Sequence, residues 1–233
     1  MIDFKSRLRE INENINNAAV KSGRNFSDIS MIAVTKTVNA DIINAAYEFG
    51  VKEIGENKVQ ELLGKLDQLN KNFIIHFIGH LQTNKVKYIM NNVRLIQSLD
   101  RLSLAGEIDS RAKKLGMVFP VLLEINIGSE ESKSGLGTED LKPFIEEISQ
   151  FENICVKGLM TVAPYMEDPE RVRPYFRRMK ELFEASKGSG RKDFSMEYLS
   201  MGMSNDYEVA VEEGADMIRL GTALFGDRNY KLK

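Results

Sequence analysis

Residues 30–57 read SMIAVTKTVNADIINAAYEFGVKEIGEN, and this stretch contains the pattern that decides the fold. Two short runs rich in β-branched and apolar residues, at 30–36 and 53–57, flank a segment at 40–49 with apolar residues at three- and four-residue steps. The runs predict strands and the segment predicts a helix. Gly50 follows the helix and can close it in the left-handed conformation. The stretch therefore predicts a strand, a helix and a second strand.

The same alternation continues along the chain. Eight strands are predicted, at residues 30–36, 53–57, 73–79, 94–100, 117–126, 154–162, 198–202 and 217–221. Helices are predicted between them, at residues 40–49, 59–69, 84–91, 101–115, 139–151, 169–187 and 205–213. An additional amphipathic helix at residues 3–21 precedes the first strand.

Strands that are apolar on both faces indicate a parallel sheet covered by helices. Eight strand–helix units close into a (β/α)8 barrel of the α/β class, and a doubly wound open sheet is the competing architecture. No Gly-rich dinucleotide fingerprint follows the first strand, and no linker divides the chain. We predict a single domain over residues 1–233 with an extra N-terminal helix, and a surface loop at 187–191.

Composition narrows the class of protein. The 32 Lys and Arg against 34 Asp and Glu give a net charge of -2, which predicts no nucleic-acid or membrane partner. The single cysteine, Cys155, lies in an apolar run, so we expect it to be buried and to form no internal disulfide. The N-terminus has no signal-peptide pattern. These features predict a cytoplasmic protein, and we expect a monomer.

Lys36 is the first candidate for chemistry. It ends the first predicted strand on the same face as Ile32 and Val34, at the mouth of the barrel. Partial desolvation there favours the neutral, nucleophilic amine, which suits Schiff-base formation with an aldehyde. The alternative is a lysine that extends into solvent.

The ends of strands seven and eight predict an anion site, because barrels commonly bind phosphate there. Ser200 and Ser204 follow strand seven, and the turn at Gly221 and Thr222 follows strand eight. Glycine permits close backbone approach, and the hydroxyls and amides can donate hydrogen bonds to an anion. The alternative is a pair of ordinary capped turns, with Ser204 or Asn205 capping the next helix.

Four further residues are candidates, and Arg219 and Asn57 each allow two interpretations. Arg219 points into the barrel and needs an acceptor, which is a ligand or a structural partner. Asn57 ends strand two and either contacts a ligand or caps the helix that begins near Val59. His76 and His80 have no acidic or thiol cluster at ligand spacing, so no metal site is predicted.

Seven motifs in order resemble the pyridoxal phosphate homeostasis proteins, which are single-domain relatives of the alanine racemase N-terminal barrel. They are AVTKT at 33–37, GENKVQE at 55–61, HFIGHLQTNK at 76–85, KSG at 133–135, GLMT at 158–161, LSMGMS at 199–204 and RLGT at 219–222. The resemblance implies pyridoxal 5'-phosphate (PLP) as the cofactor, held as a Schiff base on Lys36. It further assigns contacts to three parts of the cofactor: the phosphate to Ser200, Gly202, Gly221 and Thr222, the pyridine nitrogen to Arg219, and the ring surroundings to Asn57 and Met160.

The resemblance implies a PLP-binding protein of vitamin B6 homeostasis without strong catalysis, with PLP-dependent apo-enzymes as candidate acceptors. Arginine beside the pyridine nitrogen weakens the cofactor as an electron sink. Racemases resemble this chain only in their barrel, and a further domain supplies a tyrosine base, whereas this chain ends twelve residues after Gly221. Met160 also stands where racemases carry histidine. The alternatives are a weak amino-acid racemase and a cofactor-free aldolase-type barrel using Lys36.

Overall fold

The predicted barrel is confirmed by the structure, a computed structural model that describes residues 4–130, 132–187 and 194–226. Its parallel strands form a closed barrel in the order β1 to β8. Their bounds are β1 Ser30–Val34, β2 Glu53–Glu56, β3 Ile74–Phe77, β4 Leu95–Leu99, β5 Phe119–Ile125, β6 Ile154–Thr161, β7 Phe194–Ser200 and β8 Met217–Leu220. Strand β8 closes the ring because it pairs with β1, with Arg219 opposite Ile32.

Helices follow the strands around the outside of the barrel. Those described are α1 Phe4–Lys21, α2 Ala40–Glu48, α3 Val59–Lys65, α4 Val86–Ile89, α5 Leu102–Leu115, α6 Leu141–Ile148, α7 Arg173–Ser186, α8 Tyr207–Glu212 and α9 Thr222–Phe225. The N-terminal helix α1 packs against α8 and α9. Gly116 ends α5 with φ 66°, the left-handed conformation that its position in the sequence predicts.

Some boundaries differ from the prediction. Strand β7 begins at Phe194, four residues before the predicted start. Residues in its early part line the open amino end of the barrel and include polar side chains, so no apolar run marks them as a strand. The predicted helix at 84–91 is a 3₁₀ turn at Thr83–Lys85 followed by the short α4. Helix α7 begins at Arg173, so Pro174 lies in its first turn, where its missing N–H costs nothing. The predicted loop at 187–191 extends outside the described residues.

Two apolar cores follow from the alternation along each strand. The larger lies between the outer faces of the strands and the helices, while the smaller fills the barrel with Ile32, Leu95, Leu122, Met160 and Met217. Cys155 is partly exposed, and its predicted burial is wrong because it faces the open amino end of the barrel. Within the described ranges, no helix combines the length and apolar character needed to cross a membrane.

Candidate functional site

A cavity of about 510 Å³ opens at the carboxyl ends of the strands, and we call it the upper cavity. This is the end at which (β/α)8 barrels place their active groups. Strands β1 and β8 and the loops after β6 and β7 supply its lining, which consists of Val34, Lys36, Tyr165, Met203, Ser204, Asn205, Asp206, Arg219, Gly221 and Thr222. Lys36 and the turn after β8 therefore line the same cavity.

Lys36 lies two residues after β1, half-buried at the rim of this cavity. Its amine has no hydrogen bond or ion pair to any residue that the structure describes. The preceding residue is held firmly, because the Thr35 hydroxyl donates to Glu56 at 2.6 Å and the Lys65 amine donates to the Thr35 carbonyl at 2.8 Å. Hydrogen bonds therefore hold the backbone next to Lys36, whereas its amine has no partner among the described residues.

The residue after Lys36 is held by the same group of side chains. Thr37 has φ 62°, a conformation that non-glycine residues seldom adopt, and its N–H donates to the Glu61 carboxylate. Lys65 donates to Glu61 and to Glu56, each at 2.8 Å. We call Glu56, Glu61 and Lys65 the Lys65 cluster. Burial raises the pKa of Glu56, although Lys65 and Thr35 oppose this by donating to it.

The loop after β7 and the turn after β8 are joined by Ser204. Its hydroxyl oxygen accepts from the backbone N–H of Gly221 at 3.3 Å and of Ala223 at 3.1 Å. The amide and hydroxyl of the exposed Thr222 have no partner among the described residues. This turn therefore presents two free donors to the cavity, which suits an anionic group.

Arg219 forms the base of the cavity and is buried. Its guanidinium donates to the Ser200 hydroxyl and to the Thr161 carbonyl, each at 2.7 Å. Burial lowers the pKa of Arg219 to about 10, while nearby Asp206 and Glu124 act in the opposite direction. The group stays charged near neutral pH, and because guanidinium only donates, a ligand atom beside it must be an acceptor.

Both acids near Arg219 are buried. Burial raises the pKa of Glu124 to about 7, with Asp100 adding to the effect, and one Glu124 oxygen has no partner among the described residues. Burial also raises the pKa of Asp206, whose carboxylate accepts from the Met203 N–H at 2.6 Å. Neither acid makes a direct ion pair with Arg219 among the described residues. The positive charge therefore remains available to a ligand.

The other predicted site residues lie outside the cavity lining. Ser200 is buried beneath Arg219, and Met160 is buried inside the barrel. Gly202 has φ 92°, and a Cβ there would meet Ala210 at 2.5 Å, so the backbone packs closely at this point. Asn57 lines a separate cavity of about 270 Å³. Their assigned contacts with a cofactor stay predictions.

The capping alternatives can be compared directly with the helix starts. Lys58, not Asn57, occupies the N-cap position of α3, and no side chain caps that helix. The Asn57 capping alternative is therefore wrong. The N-cap of α8 is Asp206, so Ser204 and Asn205 do not cap it either. Asn205 instead donates to the Met166 carbonyl at 2.9 Å.

Sequence reasoning missed several contributors to the site, including Asp206, which lines the upper cavity. Tyr165 enters the lining from the loop after β6, where no pattern marks it. The Lys65 cluster depends on how α3 packs, which strand alternation does not reveal. Gln97 had a visible signal, because it is a polar residue in the apolar run of β4, and its side chain bonds to Ser200. Within the described ranges, no group of three or more His, Cys, Asp or Glu could hold a metal ion.

The closed parallel barrel and its polar upper cavity define a ligand-binding (β/α)8 barrel. The family model described as Alanine racemase, N-terminal domain matches residues 7–229. A relative named Pyridoxal phosphate homeostasis protein, from Aquifex aeolicus (strain VF5), is 47% identical over 225 residues, covering 96% of this chain and 98% of the relative. The chain therefore belongs to the alanine racemase N-terminal domain family and, within it, to the pyridoxal phosphate homeostasis proteins.

Solved structures agree with this placement. The structure of PipY of Synechococcus elongatus PCC7942 with PLP bound has a TM-score of 0.80 and 29% identity, covering 96% of this chain and 100% of PipY. An alanine racemase of Clostridium difficile 630, in complex with cycloserine, has a TM-score of 0.71 and 17% identity. The match covers 97% of this chain and 61% of the racemase, and at this identity it shows the fold alone.

Proposed function

We propose that this chain binds PLP reversibly as a Schiff base on Lys36 and serves intracellular PLP homeostasis without strong catalytic activity. We further propose that it does so as a single-domain cytoplasmic monomer. The observation that carries the proposal is the unpaired Lys36 amine, which shares one cavity with the free donors of Thr222 and with Arg219. The names of the relatives and the PLP bound in PipY support the same ligand.

The residues present fit PLP group by group. The aldehyde requires an unpaired amine, which Lys36 provides. The phosphate requires donors, which the Gly221–Thr222 turn offers, and the pyridine nitrogen suits the donating guanidinium of Arg219. The volume of about 510 Å³ is in the range of small-ligand sites.

The four predicted residues outside the lining keep their predicted cofactor contacts as part of this proposal, and each also has a structural role that supports the cavity. Ser200 orients the Arg219 guanidinium. Gly202 joins the ends of β7 and β8, because its carbonyl accepts from the backbone N–H of Arg219 at 3.0 Å. Met160 packs beneath the cavity inside the barrel. Asn57 has a buried amide oxygen without a partner among the described residues, and reaching the cofactor would require that side chain to reorient.

When bound, PLP supplies an aldehyde that reacts reversibly with amines and a ring that can withdraw electrons. Arg219 limits the second property, because its donors keep the pyridine nitrogen unprotonated. The Lys65 cluster holds the backbone on either side of Lys36, so the amine meets the aldehyde from a fixed direction. These features favour storage of the cofactor over turnover of a substrate.

The test is an absorption spectrum of the purified protein with added PLP, before and after borohydride, followed by peptide mass mapping. We expect a visible band, and after reduction an adduct on Lys36. A protein that stays colourless and unmodified would contradict the proposal and favour the aldolase-type alternative. Reactivation of a PLP-dependent apo-enzyme by the loaded protein tests the proposed transfer to acceptors.

A weak racemase is the second candidate, because the Tyr165 phenol lines the same cavity as the Lys36 amine. Racemisation needs two proton-transfer groups on opposite faces of a substrate. Lys36 follows β1 and Tyr165 follows β6, so the two groups reach the cavity from different loops. Chiral analysis of alanine incubated with the loaded protein tests it. Sustained turnover that Tyr165→Phe abolishes would favour the racemase, and its absence favours the carrier.

A further inference from the structure

Polar side chains inside the barrel form a continuous chain below Arg219. Arg219 donates to the Ser200 hydroxyl at 2.7 Å, and Ser200 donates to the Gln97 amide oxygen at 2.7 Å. The Gln97 amide nitrogen lies 3.0 Å from Nδ1 of His76. Nε2 of His76 lies 3.2 Å from the Glu53 carboxylate, an ionic contact without full hydrogen-bond alignment. Four contacts thus link residues on β8, β7, β4, β3 and β2.

The hydrogen bonds from Arg219 to His76 can run in only one direction, because the Arg219 guanidinium, where they begin, can only donate. The Ser200 oxygen therefore accepts from Arg219, and its own proton must point to an acceptor, which makes the Gln97 atom facing it the oxygen. The Gln97 NH₂ group then faces His76, so Nδ1 of His76 carries a lone pair. The neutral ring must hold its proton on Nε2, toward Glu53.

The second proton of the Gln97 amide supports this orientation independently. The amide nitrogen lies 3.7 Å from the sulfur of Met217, which can accept but cannot donate. Gln97, Ser200, His76 and Arg219 are all buried, so water does not offer alternative partners to most of these atoms. Reversing the amide would set its NH₂ group against Ser200 and leave the Ser200 proton without its acceptor.

The two ends of the chain lie at opposite ends of the barrel. Arg219 lines the upper cavity, whereas His76 and Glu53 line a second cavity of about 510 Å³ at the amino ends of the strands, which we call the lower cavity. We propose that Gln97 and His76 are positioning residues for Arg219, fixing the direction in which the guanidinium presents its remaining donors to the cofactor. This inference rests on the proposed PLP function only for its effect on bound cofactor.

The direction of these hydrogen bonds can be measured in the protein without PLP. The protein has two histidines, His76 and His80, so a ¹⁵N-edited NMR spectrum of the imidazoles is simple, and a His80→Asn variant assigns its signals. We expect the His76 proton on Nε2 in the wild-type protein. In Gln97→Glu, the carboxylate still accepts from Ser200 but now also faces Nδ1 of the ring as an acceptor, so Nδ1 should carry a proton as well. A wild-type ring protonated on Nδ1 would overturn the inference.

The effect on the cofactor is tested with Gln97→Leu, which removes the acceptor for Ser200. We expect PLP to bind on the order of fivefold more weakly, with a shifted absorption band, because Arg219 is less well oriented. In Gln97→Glu the acceptor for Ser200 is retained, so PLP affinity should be closer to wild type than in Gln97→Leu. The control is Ser98→Ala on the same strand, whose hydroxyl is buried but makes no described contact with the chain.

The outcomes separate the inference from the proposed function. Wild-type affinity and absorption in a folded Gln97→Leu protein would overturn the positioning role. If Gln97→Leu fails to fold, the NMR measurement on Gln97→Glu decides, and a His76 Nδ1 that stays unprotonated in that variant would overturn the inference. A wild-type protein that binds no PLP contradicts the proposed function, while the NMR result still judges the hydrogen-bond chain by itself.

Discussion

The upper and lower cavities of the barrel have the same volume, about 510 Å³, yet they differ in how their charges are paired. At the lower end Lys157 donates to Glu197 at 2.7 Å, and this hydrogen bond raises the pKa of the lysine. At the upper end Lys36 has no partner among the described residues. A paired ammonium is a poor nucleophile, so pairing and not volume distinguishes the reactive end.

The largest expected effect tests the contrast between Lys36 and Lys157. Lys36→Ala should abolish the borohydride-fixed PLP adduct completely, because it removes the only lysine in the described lining of the upper cavity. Lys157→Ala is the matched control and should retain the adduct at the wild-type level. Mass spectrometry of the reduced proteins measures both, and circular dichroism checks that each barrel is folded. Adduct loss in the control, or its retention in Lys36→Ala, would contradict the assignment.

The second prediction concerns the support behind Lys36. Lys65→Met should lower the free energy of unfolding by about 3–5 kcal/mol, because it leaves the fully buried Glu56 carboxylate without its cation. It should also slow adduct formation, since Lys65 holds Thr35 directly and Thr37 through Glu61. Urea denaturation measures the first effect, and the absorbance change on adding PLP measures the second.

Lys180→Met is the control for that experiment. Lys180 also pairs with a glutamate four residues away, Glu184, but both side chains are more than one-third exposed. Exposed pairs contribute little to stability, so the unfolding free energy should change little and adduct formation not at all. Equal destabilisation by both variants would show that burial of the Lys65 cluster has no special role.

The fold was predictable because each strand carries its signal locally. Apolar runs of β-branched residues mark the strands, and the alternation with helices implies the parallel order. Lys36 and the Gly221–Thr222 turn could be placed together because strand ends converge in a closed barrel. Contacts across the interior could not be predicted, since the meeting of Gln97 with Ser200 depends on the stagger of β4 against β7. The Tyr165 loop likewise carries no periodic signal.

A third prediction uses the opposite pKa shifts at the two ends. Burial raises the pKa of Glu124 from 4.5 to about 7. Between these values the unfolded chain releases a proton that the folded protein keeps, so the free energy of unfolding falls as pH rises. Glu124→Gln stays neutral and should be more stable than wild type at pH 8, by on the order of 3 kcal/mol, with little difference at pH 4.

Glu197 at the lower end should show the reverse sign. Its pKa is lowered, chiefly by the hydrogen bond from Lys157, so its stabilising effect is present above the unfolded pKa and lost as pH falls. Glu197→Gln should therefore be slightly less stable than wild type at pH 8, with the difference vanishing in acid. Urea denaturation at both pH values measures the two variants, and parallel pH profiles for wild type and Glu124→Gln would refute the burial argument.

The last prediction concerns a single hydroxyl at each end of the barrel. Thr222→Val preserves shape but removes a donor that has no described partner, so its cost should appear in ligand affinity and not in stability. Losing one hydrogen bond to a charged phosphate should weaken PLP binding about tenfold. Ser30→Ala removes a hydroxyl from the lower cavity and should leave PLP affinity unchanged. If titration shows that Ser30→Ala weakens PLP binding as much as Thr222→Val does, the phosphate is not held selectively at the upper end.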